Sequence, residues 1–400
     1  MSSDKTSVQS QKSSRKIHPS VWVLGLVSLF TDFGTKAVQS VLPLFLVSVL
    51  GANISTVGLI EGIAESTASV LKLFSGALSD YWGRRKELAI LGYGLSAAII
   101  PVFALANSPF WVLVGRFGDR LGKGIRVAPR NALVADVTPP EQRGAAYGLR
   151  QTLDTIGAFS GPLVATLILL ISEQNFRLVF WVALIPGIIS VCLLVKGIRE
   201  PQSAERKRNA SIQWSVCRRL GRNYWALVGV AMLFNLGNFS DAFLLLKAQE
   251  IGITATWIPL SMIVMNFSYM LSAYPLGALS DRMGRKQLLV GGFWLFALVY
   301  LGFAWIDQPW QIWGLFAFYG VYLGMSQGIL LALVADFTPP ELRGTGFGII
   351  NLVIGIILLP ASLLAGFLWQ TVNSQTPFLL GSVLAIAASL LLLIGIRNDN

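Results

Sequence analysis

Twelve long apolar segments follow one another along this chain, and they restrict its fold more than any other feature. A helix needs about 20 consecutive apolar residues to cross a bilayer. Inside a bilayer only helices and closed barrels satisfy their own backbone hydrogen bonds, and segments of this length are typical of helices. The sequence therefore predicts an all-α membrane protein with twelve transmembrane helices, near 20–48, 55–79, 87–106, 109–135, 143–171, 176–196, 224–250, 256–280, 286–305, 309–336, 343–370 and 376–396.

Composition excludes a soluble protein of the same length. Hydrophobic residues make up 54% of the 400, and charged residues only 13%, against about 25% in a soluble domain. The formal net charge is +11, which by itself is also typical of nucleic-acid binding. A nucleic-acid binder would carry its basic residues on a polar domain, and the chain has no segment long enough to form one.

The basic residues instead lie in alternate loops, which orients the helices. Cytoplasmic loops of membrane proteins carry an excess of Lys and Arg. The apolar run after residue 20 is too long for a signal peptide, so it is expected to remain as the first span. We expect both termini and the 197–222 segment to be cytoplasmic, in the inner (plasma) membrane of a prokaryote. The basic residues lie in clusters such as Lys12, Arg15 and Lys16; Arg84, Arg85 and Lys86; Arg206, Lys207 and Arg208; and Arg282, Arg285 and Lys286.

Two sequence motifs occur twice, about 200 residues apart. Gly-Ala-Leu-Ser-Asp-x-x-Gly-Arg-Arg/Lys begins at Gly76 and again at Gly277, and Leu-Val-Ala-Asp-x-Thr-Pro-Pro-Glu-x-Arg-Gly begins at Leu133 and again at Leu333. Repeats at one offset predict two six-helix bundles related by a pseudo-two-fold axis, with a transport site between them. The predicted organisation is a tail (1–19), a first bundle (20–196), a basic linker (197–222), a second bundle (223–396) and a short tail (397–400).

These motifs resemble the major facilitator superfamily over nearly the whole chain. The resemblance implies secondary transport by alternating access. The segment 119–130, Asp-Arg-Leu-Gly-Lys-Gly-Ile-Arg-Val-Ala-Pro-Arg, resembles a prokaryotic branch of small twelve-helix members. Gly157, Gly161 and Pro162 are similar to the fifth-helix motif of drug/proton antiporters, although Ala165 stands where a Gly is usual. That similarity favours efflux.

The resemblance also assigns a conformational role to the repeated loops. In the superfamily these loops form a cytoplasmic latch that opens and closes during transport and does not touch substrate. Tyr81 replaces a usual basic residue in the first copy. The implied latch residues are Gly76, Asp80, Gly83, Arg84, Asp136, Glu141 and Arg143 in the first half, and Gly277, Asp281, Arg282, Gly284, Arg285, Asp336, Glu341 and Arg343 in the second.

The fourth span carries six charges on one helical face: Arg116, Asp119, Arg120, Lys123, Arg126 and Arg130. A charge facing lipid costs at least about 2.5–3.5 kcal/mol, so this face must meet water or partner groups. The superfamily often has an arginine on this helix that is coupled to protonation. Arg116 and Arg120 both fit that role, and the pattern does not choose between them. Lys123, Arg126 and Arg130 either line a cavity or form structural pairs near the cytoplasmic surface.

Carboxylates on neighbouring spans are the candidate proton carriers. Burial favours the protonated form of a carboxylate and a nearby cation favours the ionised form, so such a group can load and release a proton. Asp32 is the first candidate, with a structural ion pair to the fourth span as the alternative. The other candidates for the proton-coupling cluster in the central cavity are Glu61, Glu65, Asp119 and Asp154, together with the two arginines.

The second half has far fewer charges within its spans. Its seventh and tenth spans supply amides and aromatic hydroxyls instead, which predicts contacts with substrate. Aromatic residues at such positions also serve as packing or as belt residues at the membrane interface. The candidate substrate-cavity residues are Lys36, Lys123 and Arg126 from the first half, and Asn235, Asn238, Asp241, Tyr319, Tyr322 and Gln327 from the second.

The sequence therefore predicts a proton-coupled secondary transporter that exports a small organic solute, and not an enzyme. No phosphate-binding loop, nucleophile elbow or metal-ligand cluster occurs, so no cofactor or metal is expected. The expected partners are a small-molecule substrate, protons and the lipid bilayer, with no nucleic acid, and the chain is expected to be a monomer. Two alternatives stay open: a proton-coupled importer of an anionic metabolite or chelate, and a sensor or assembly factor that no longer transports.

Overall fold

Long helices form almost all of the protein in a computed structural model that describes residues 18–82, 84–139, 142–198, 220–339 and 342–396. Their ends follow local chemistry: Pro19 stands in the first turn of the first helix, and the Asn175 side chain accepts a hydrogen bond from the Leu178 N–H at the start of the sixth, as helix starts favour. The described ranges contain no strand. The predicted all-α fold is confirmed.

The first half contains six helices of membrane-spanning length. They alternate in direction, so α1, α3 and α5 begin at the face where residue 18 lies, and α2, α4 and α6 end there. We call this the terminal face, and the opposite one the distal face. The helices are α1 (Pro19–Ser48), α2 (Ile54–Trp82), α3 (Arg85–Leu105), α4 (Pro109–Asp136), α5 (Arg143–Ile171) and α6 (Phe176–Gly197).

The second half repeats this arrangement, and residue 396 also lies at the terminal face. Equivalent helices lie 200 residues apart: α3 begins at 85 and its counterpart at 285, and α4 ends at 136 and its counterpart at 336. The helices are α7 (Arg222–Gly237), α8 (Ala242–Glu250), α9 (Ile258–Met283), α10 (Arg285–Trp305), α11 (Gln311–Asp336), α12 (Arg343–Thr371) and α13 (Thr376–Gly395).

One predicted span is broken in the structure. A single helix was expected over 224–250, but α7 ends at Gly237 and α8 begins at Ala242. Gly237 packs against Gly381 of α13, and the Ser240 N–H donates to the Ser362 Oγ of α12 over 3.3 Å. Side chains and close neighbours thus take over backbone groups that a continuous helix would satisfy itself, as broken membrane helices require.

Ten segments within the described residues are long and apolar enough to cross a membrane, with α7 and α8 taken together as one. Helices α2 and α4 complete the predicted twelve, at 29 and 28 residues. Large apolar side chains cover the outside of the bundle, among them Ile171 at 82% and Ile394 at 80% exposure. Apolar surface on this scale is typical of contact with lipid.

The two halves meet most closely where α2 packs against α12. The Ser55 Oγ donates to the Gly366 carbonyl over 3.0 Å, and the Ser66 Oγ donates to the Gly355 carbonyl over 2.6 Å. Small residues allow this close approach between membrane helices. At the distal face, the Gln249 Nε2 also donates to the Ser48 Oγ over 2.8 Å. These contacts hold the distal side of the two halves together.

The predicted tails and most of the predicted linker lie outside the described residues, at 1–17, 199–219 and 397–400.

Candidate functional site

A cavity of about 440 Å³ lies between the two halves. Its volume is within the range of pockets that hold small organic ligands. Helices α1, α2 and α4 form one wall, and the α7–α8 break with α9, α11 and α12 forms the other. The charged and polar lining residues are Lys36, Gln39, Glu61, Glu65 and Lys123 on the first wall, and Asn238, Ser240, Asp241, Asn266, Tyr269, Tyr319 and Gln327 on the second.

The cavity continues towards the terminal face. A second cavity of about 290 Å³ shares Tyr269 with the first and extends along α9 and α11 to Ser280, Arg285 and Ala332. The distal side is held together by the α2–α12 contact and by the Gln249–Ser48 hydrogen bond. Among the described residues, the central cavity thus continues towards the terminal face.

Two arginines and two glutamates form a buried cluster in the first wall. The Arg116 Nη2 contacts Glu61 Oε2 in a short hydrogen bond and lies 3.9 Å from Glu65 Oε1. The Arg120 Nη2 lies 3.2 Å from Glu65 Oε1. Arg116 and Arg120 are buried, whereas the Glu65 side chain is 30% exposed. Glu65 therefore connects the arginines with the cavity, and Ser240 of the second half donates to Glu61 over 3.4 Å.

The Arg120 guanidinium is held by charge rather than by hydrogen bonds. None of its three side-chain nitrogens has a hydrogen-bond partner among the described residues. Its neighbours are the carboxylates of Glu65 and of Asp119, at 3.2 and 3.7 Å. A buried donor without a partner costs about 1–3 kcal/mol. The N–H groups of Arg120 are thus able to donate hydrogen bonds to water, to a ligand or to a carboxylate that moves towards them.

Asp32 belongs to a second charged group, nearer the terminal face. Asp154 lies beside Arg150, with Nη1 and Oδ2 2.6 Å apart. Asp32 is half-buried and lies within Coulombic range of Arg130, Arg150 and Asp154. The Arg130 Nη1 donates to the Ser28 Oγ over 3.1 Å. This group joins α1, α4 and α5 within the first half.

Two further predicted residues lie inside the first bundle. Arg126 is buried, donates to the Ser96 hydroxyl and places its guanidinium 4.9 Å from the Tyr93 ring centre. Asp119 lines a small internal cavity of about 20 Å³ together with Thr31, Arg116 and other residues of the first half. A space of this size holds about one water molecule. Neither side chain lines the central cavity.

The second wall is built around the break between α7 and α8. Tyr319 donates its hydroxyl to Asp241 Oδ1 over 2.9 Å, and it lies 3.4 Å from Asn238 Oδ1. Asn238 in turn donates to the Tyr322 hydroxyl over 3.4 Å. Gln327 accepts from the Tyr269 hydroxyl over 3.4 Å. Asn235 instead bonds the Ala231 carbonyl of its own helix.

Aromatic rings pack behind this wall. Tyr319 and Tyr322 lie 5.3 Å apart by ring centres, and Phe296 packs against Tyr300 and Tyr322 at 3.9 and 4.9 Å. Offset and edge-on pairs of this kind contribute about 0.5–1.5 kcal/mol each beyond their buried area. The Tyr319 and Asp241 side chains are thus held by a rigid aromatic support.

The repeated loops form equivalent ion pairs in the two halves. Arg85 and Asp136 lie 2.7 Å apart, and Arg285 and Asp336 lie 2.6 Å apart. In the first half the pair is made by Arg85, whereas Arg84 contacts Glu87 at 3.2 Å on an exposed surface. The sequence motifs align Arg84 with Arg285. In the structure Arg85 is the equivalent of Arg285, because the loop before α3 has one residue more than the loop before α10.

Several predicted latch residues are not described in full. Gly83, Glu141 and Glu341 lie outside the described residues, and Gly76, Asp80 and Asp281 are described at the backbone only. Gly284 adopts φ +98°, a backbone conformation that favours glycine. Gly277 lines the second cavity, and Arg143, Arg282 and Arg343 are exposed.

The predicted antiporter-type residues lie where α5 crosses α1. A Cβ at Gly161 would stand 2.9 Å from the Ala37 N atom, and one at Gly157 would stand 3.0 Å from the Leu29 carbonyl carbon. Pro162 lies within α5 directly after Gly161. These residues bring α1, which carries Asp32 and Lys36, close to α5.

Sequence patterns missed two parts of this site. Arg85 could have been found from the 200-residue offset of the second motif, which pairs it with Arg285. The cavity residues of α9 and of the α7–α8 break, including Ser240, Asn266 and Tyr269, carry no charge pattern that separates them from ordinary packing residues.

Duplicated bundles of membrane-spanning helices around a polar central cavity define a membrane transporter. A family model described as Major Facilitator Superfamily matches residues 24–273 and 225–400. The chain belongs to the major facilitator superfamily.

Relatives and a solved structure agree with this assignment. An uncharacterised MFS-type transporter from Methanocaldococcus jannaschii is 31% identical over 391 residues, covering 96% of this chain and 97% of the relative. A multi-drug resistance efflux pump from Streptococcus pneumoniae is 26% identical over 336 residues, covering 78% and 81%. A bacterial homologue of the human lysosomal transporter Spinster, in an inward-facing and occupied conformation, matches with a TM-score of 0.72 at 16% identity, covering 94% of each chain.

Proposed function

We propose that this protein is a proton-coupled transporter that exports a small organic solute by alternating access. The observation that carries the proposal is the carboxylate–arginine cluster in the wall of a cavity between the halves. Glu65 is partly exposed to that cavity and ion-paired to a buried arginine. A carboxylate in this position can hold a proton in one conformation and an arginine in the other, which links proton movement to solute movement.

Similarity to efflux pumps supports the direction of transport. A relative named as a multi-drug resistance efflux pump covers about four-fifths of this chain, and α5 carries the antiporter-type glycines. Basic residues lie at the terminal face, including Arg85, Lys86, Arg285 and Lys286. By the positive-inside rule that face is cytoplasmic, which makes the open cavity inward-facing.

Protons bind at Glu65 and at the Asp32–Asp154 group in this mechanism. A variant of each group tests its contribution separately. Inside-out vesicles with an imposed pH gradient report solute-driven proton movement through a pH-sensitive dye. Glu65→Gln removes the ionisable group next to Arg120, so solute movement is expected to become independent of the gradient. Asp32→Asn tests the second group in the same way.

Asp307→Asn is the matched control, because Asp307 is exposed in the loop between α10 and α11. It makes the same chemical change outside the cavity and is expected to transport like the wild type. If extrusion stays fully coupled to the pH gradient at every pH in both Glu65→Gln and Asp32→Asn, the proposed coupling is wrong.

A second candidate function is proton-coupled import of an anionic solute. Lys36 and Lys123 line the cavity and favour it. Uptake of an anion that is driven by protons and lost in Lys123→Gln would support import over export.

A further inference from the structure

The two walls of the central cavity carry charges of opposite sign. Lys36 of α1 and Lys123 of α4 line the first wall, and Asp241 lines the second. Asp241 and Lys36 lie within Coulombic range of each other, as do the two lysines. The three side chains therefore surround one space rather than three separate ones.

The two lysines are the cations of the first wall that form no ion pair among the described residues. Among the described residues neither ammonium group has an ion-pair or hydrogen-bond partner within bonding distance. The two acids on the same wall are already compensated, because Glu61 pairs with Arg116 and Glu65 with Arg120. A solute entering the cavity thus meets two lysine side chains on this side that have no bonded partner among the described residues.

Asp241 is the carboxylate of the second wall, and it forms no ion pair among the described residues. It stands at the start of α8, yet its side chain does not cap that helix. It accepts one hydrogen bond instead, from Tyr319 over 2.9 Å. No Lys or Arg of the described residues forms an ion pair with it. A carboxylate accepts up to about four hydrogen bonds, so most of its capacity remains open.

We infer that this cavity binds a zwitterion: a small organic solute whose anionic group lies against Lys36 and Lys123 and whose ammonium group lies against Asp241. The inference rests on the proposed transport function and names its substrate class. A solute with only a negative charge would leave Asp241 without a cation, and one with only a positive charge would face two lysines. Leaving a charge unpaired away from water is costly.

The same placement makes the solute a bridge between the two halves. Lys36 and Lys123 belong to the first bundle and Asp241 to the second, so a bound zwitterion attracts both walls at once. A solute that carries one kind of charge attracts one wall only. The apolar lining, which includes Met262, Met265 and Leu323, accommodates the body of the solute.

The test uses matched probes on three scaffolds: phenylalanine, 4-(aminomethyl)benzoate and phenylalanyl-phenylalanine. Each is compared with its N-acetyl form, which is an anion, and its carboxamide, which is a cation. Binding to the purified full-length protein in detergent is measured from the shift in unfolding temperature. On the scaffold of suitable length, the zwitterion is expected to bind at least about tenfold more tightly than either derivative.

Variants of the cavity residues show which side chain binds each charged end of the probe. Asp241→Asn keeps the acceptor for Tyr319 and is expected to lower zwitterion affinity about tenfold while leaving the N-acetyl probe unaffected. Lys123→Gln is expected to reduce the preference over the carboxamide severalfold, because only Lys36 then remains for the anionic group. Asp307→Asn and Lys196→Gln make the same changes at exposed positions outside the cavity.

The inference is overturned if no scaffold shows a preference for the zwitterion, or if Asp241→Asn weakens all three forms equally. Transport of some solute by vesicles without a preference for zwitterions would overturn the inference and leave the proposed function standing. Binding that prefers zwitterions, in vesicles that move neither probe nor protons, would support the inference and refute the transport function.

Discussion

Helices α4 and α11 occupy equivalent places in the two repeats, yet one is charged and the other aromatic. Each lies against its neighbour through a glycine: a Cβ at Gly124 would stand 3.3 Å from Leu71 Cδ1, and one at Gly324 would stand 3.1 Å from the Ala273 N atom. Residues 200 positions apart differ in chemistry, as in Arg116 and Phe316, Asp119 and Tyr319, Arg120 and Gly320, and Lys123 and Leu323.

In both helices, small residues allow the close packing that the fold needs, and the residues at the other positions give each half its own chemistry. Close helix contacts at small residues recur in both halves, whereas the remaining positions hold ion pairs in one and rings in the other. Charged pairs in α4 depend on their partners, because a buried charge is costly alone. Rings in α11 depend on packing. The two helices should therefore respond differently to the same kind of substitution.

The largest difference in stability between equivalent substitutions is expected between Arg116→Leu in α4 and Phe316→Leu in α11. Removing Arg116 leaves Glu61 buried without its partner, which should lower the free energy of unfolding by about 3–5 kcal/mol. Phe316 is equally buried, but a Leu there keeps most of the packing and should cost about 1 kcal/mol. Unfolding of both variants in the same detergent measures the two losses.

A double variant shows whether the unpaired charge is the cause. Glu61→Leu combined with Arg116→Leu removes both charges, so it should recover most of the stability that Arg116→Leu loses. If the double variant is no more stable than the single one, the ion pair does not explain the loss.

A smaller effect is expected within the aromatic wall. Tyr319→Phe removes the hydroxyl that donates to the half-buried Asp241, and the loss of this hydrogen bond should cost about 1–2 kcal/mol. Tyr300→Phe is the control, since the described residues offer its buried hydroxyl no hydrogen-bond partner. Thermal unfolding should show a loss for the first variant and no loss for the second. Equal losses would mean that the hydroxyl of Tyr319 contributes nothing specific.

The smallest effects are expected at the two loop ion pairs. The side chains of Arg85 and Asp136 are 12% and 18% exposed, whereas those of Arg285 and Asp336 are 34% and 45% exposed. Exposed pairs contribute at most about 1 kcal/mol and are screened by salt. Arg85→Ala should therefore destabilise more than Arg285→Ala. Unfolding at low and high salt tests this, and a reversed order would contradict it.

The sequence predicted the helices well because lipid imposes a simple rule on them. The span expected at 143–171 coincides with α5, and the span expected at 176–196 differs from α6 by one residue. Polar loops mark such ends clearly. The face of α4 that carries its charges was also predictable, since helical periodicity places residues three or four apart on one side.

Partners across helices were not predictable in the same way. Periodicity shows that Arg116 and Glu61 each lie on a polar stripe, but not that these two stripes face each other. The break between α7 and α8 was missed because Asn238, Ser240 and Asp241 stand within an otherwise apolar segment. The position of Arg85 was missed because one additional residue in the first loop shifts the alignment of the repeats.

The break between α7 and α8 has a consequence for how each half can change over evolutionary time. The polarity of the first wall resides in side chains, so each substitution such as one at Glu61 removes a polar group from it. At 238–240 part of the polarity belongs to peptide groups at helix ends, which every amino acid contributes except for the N–H that proline lacks. The second half can thus exchange side chains at 238–240 and still keep polar peptide groups at this break.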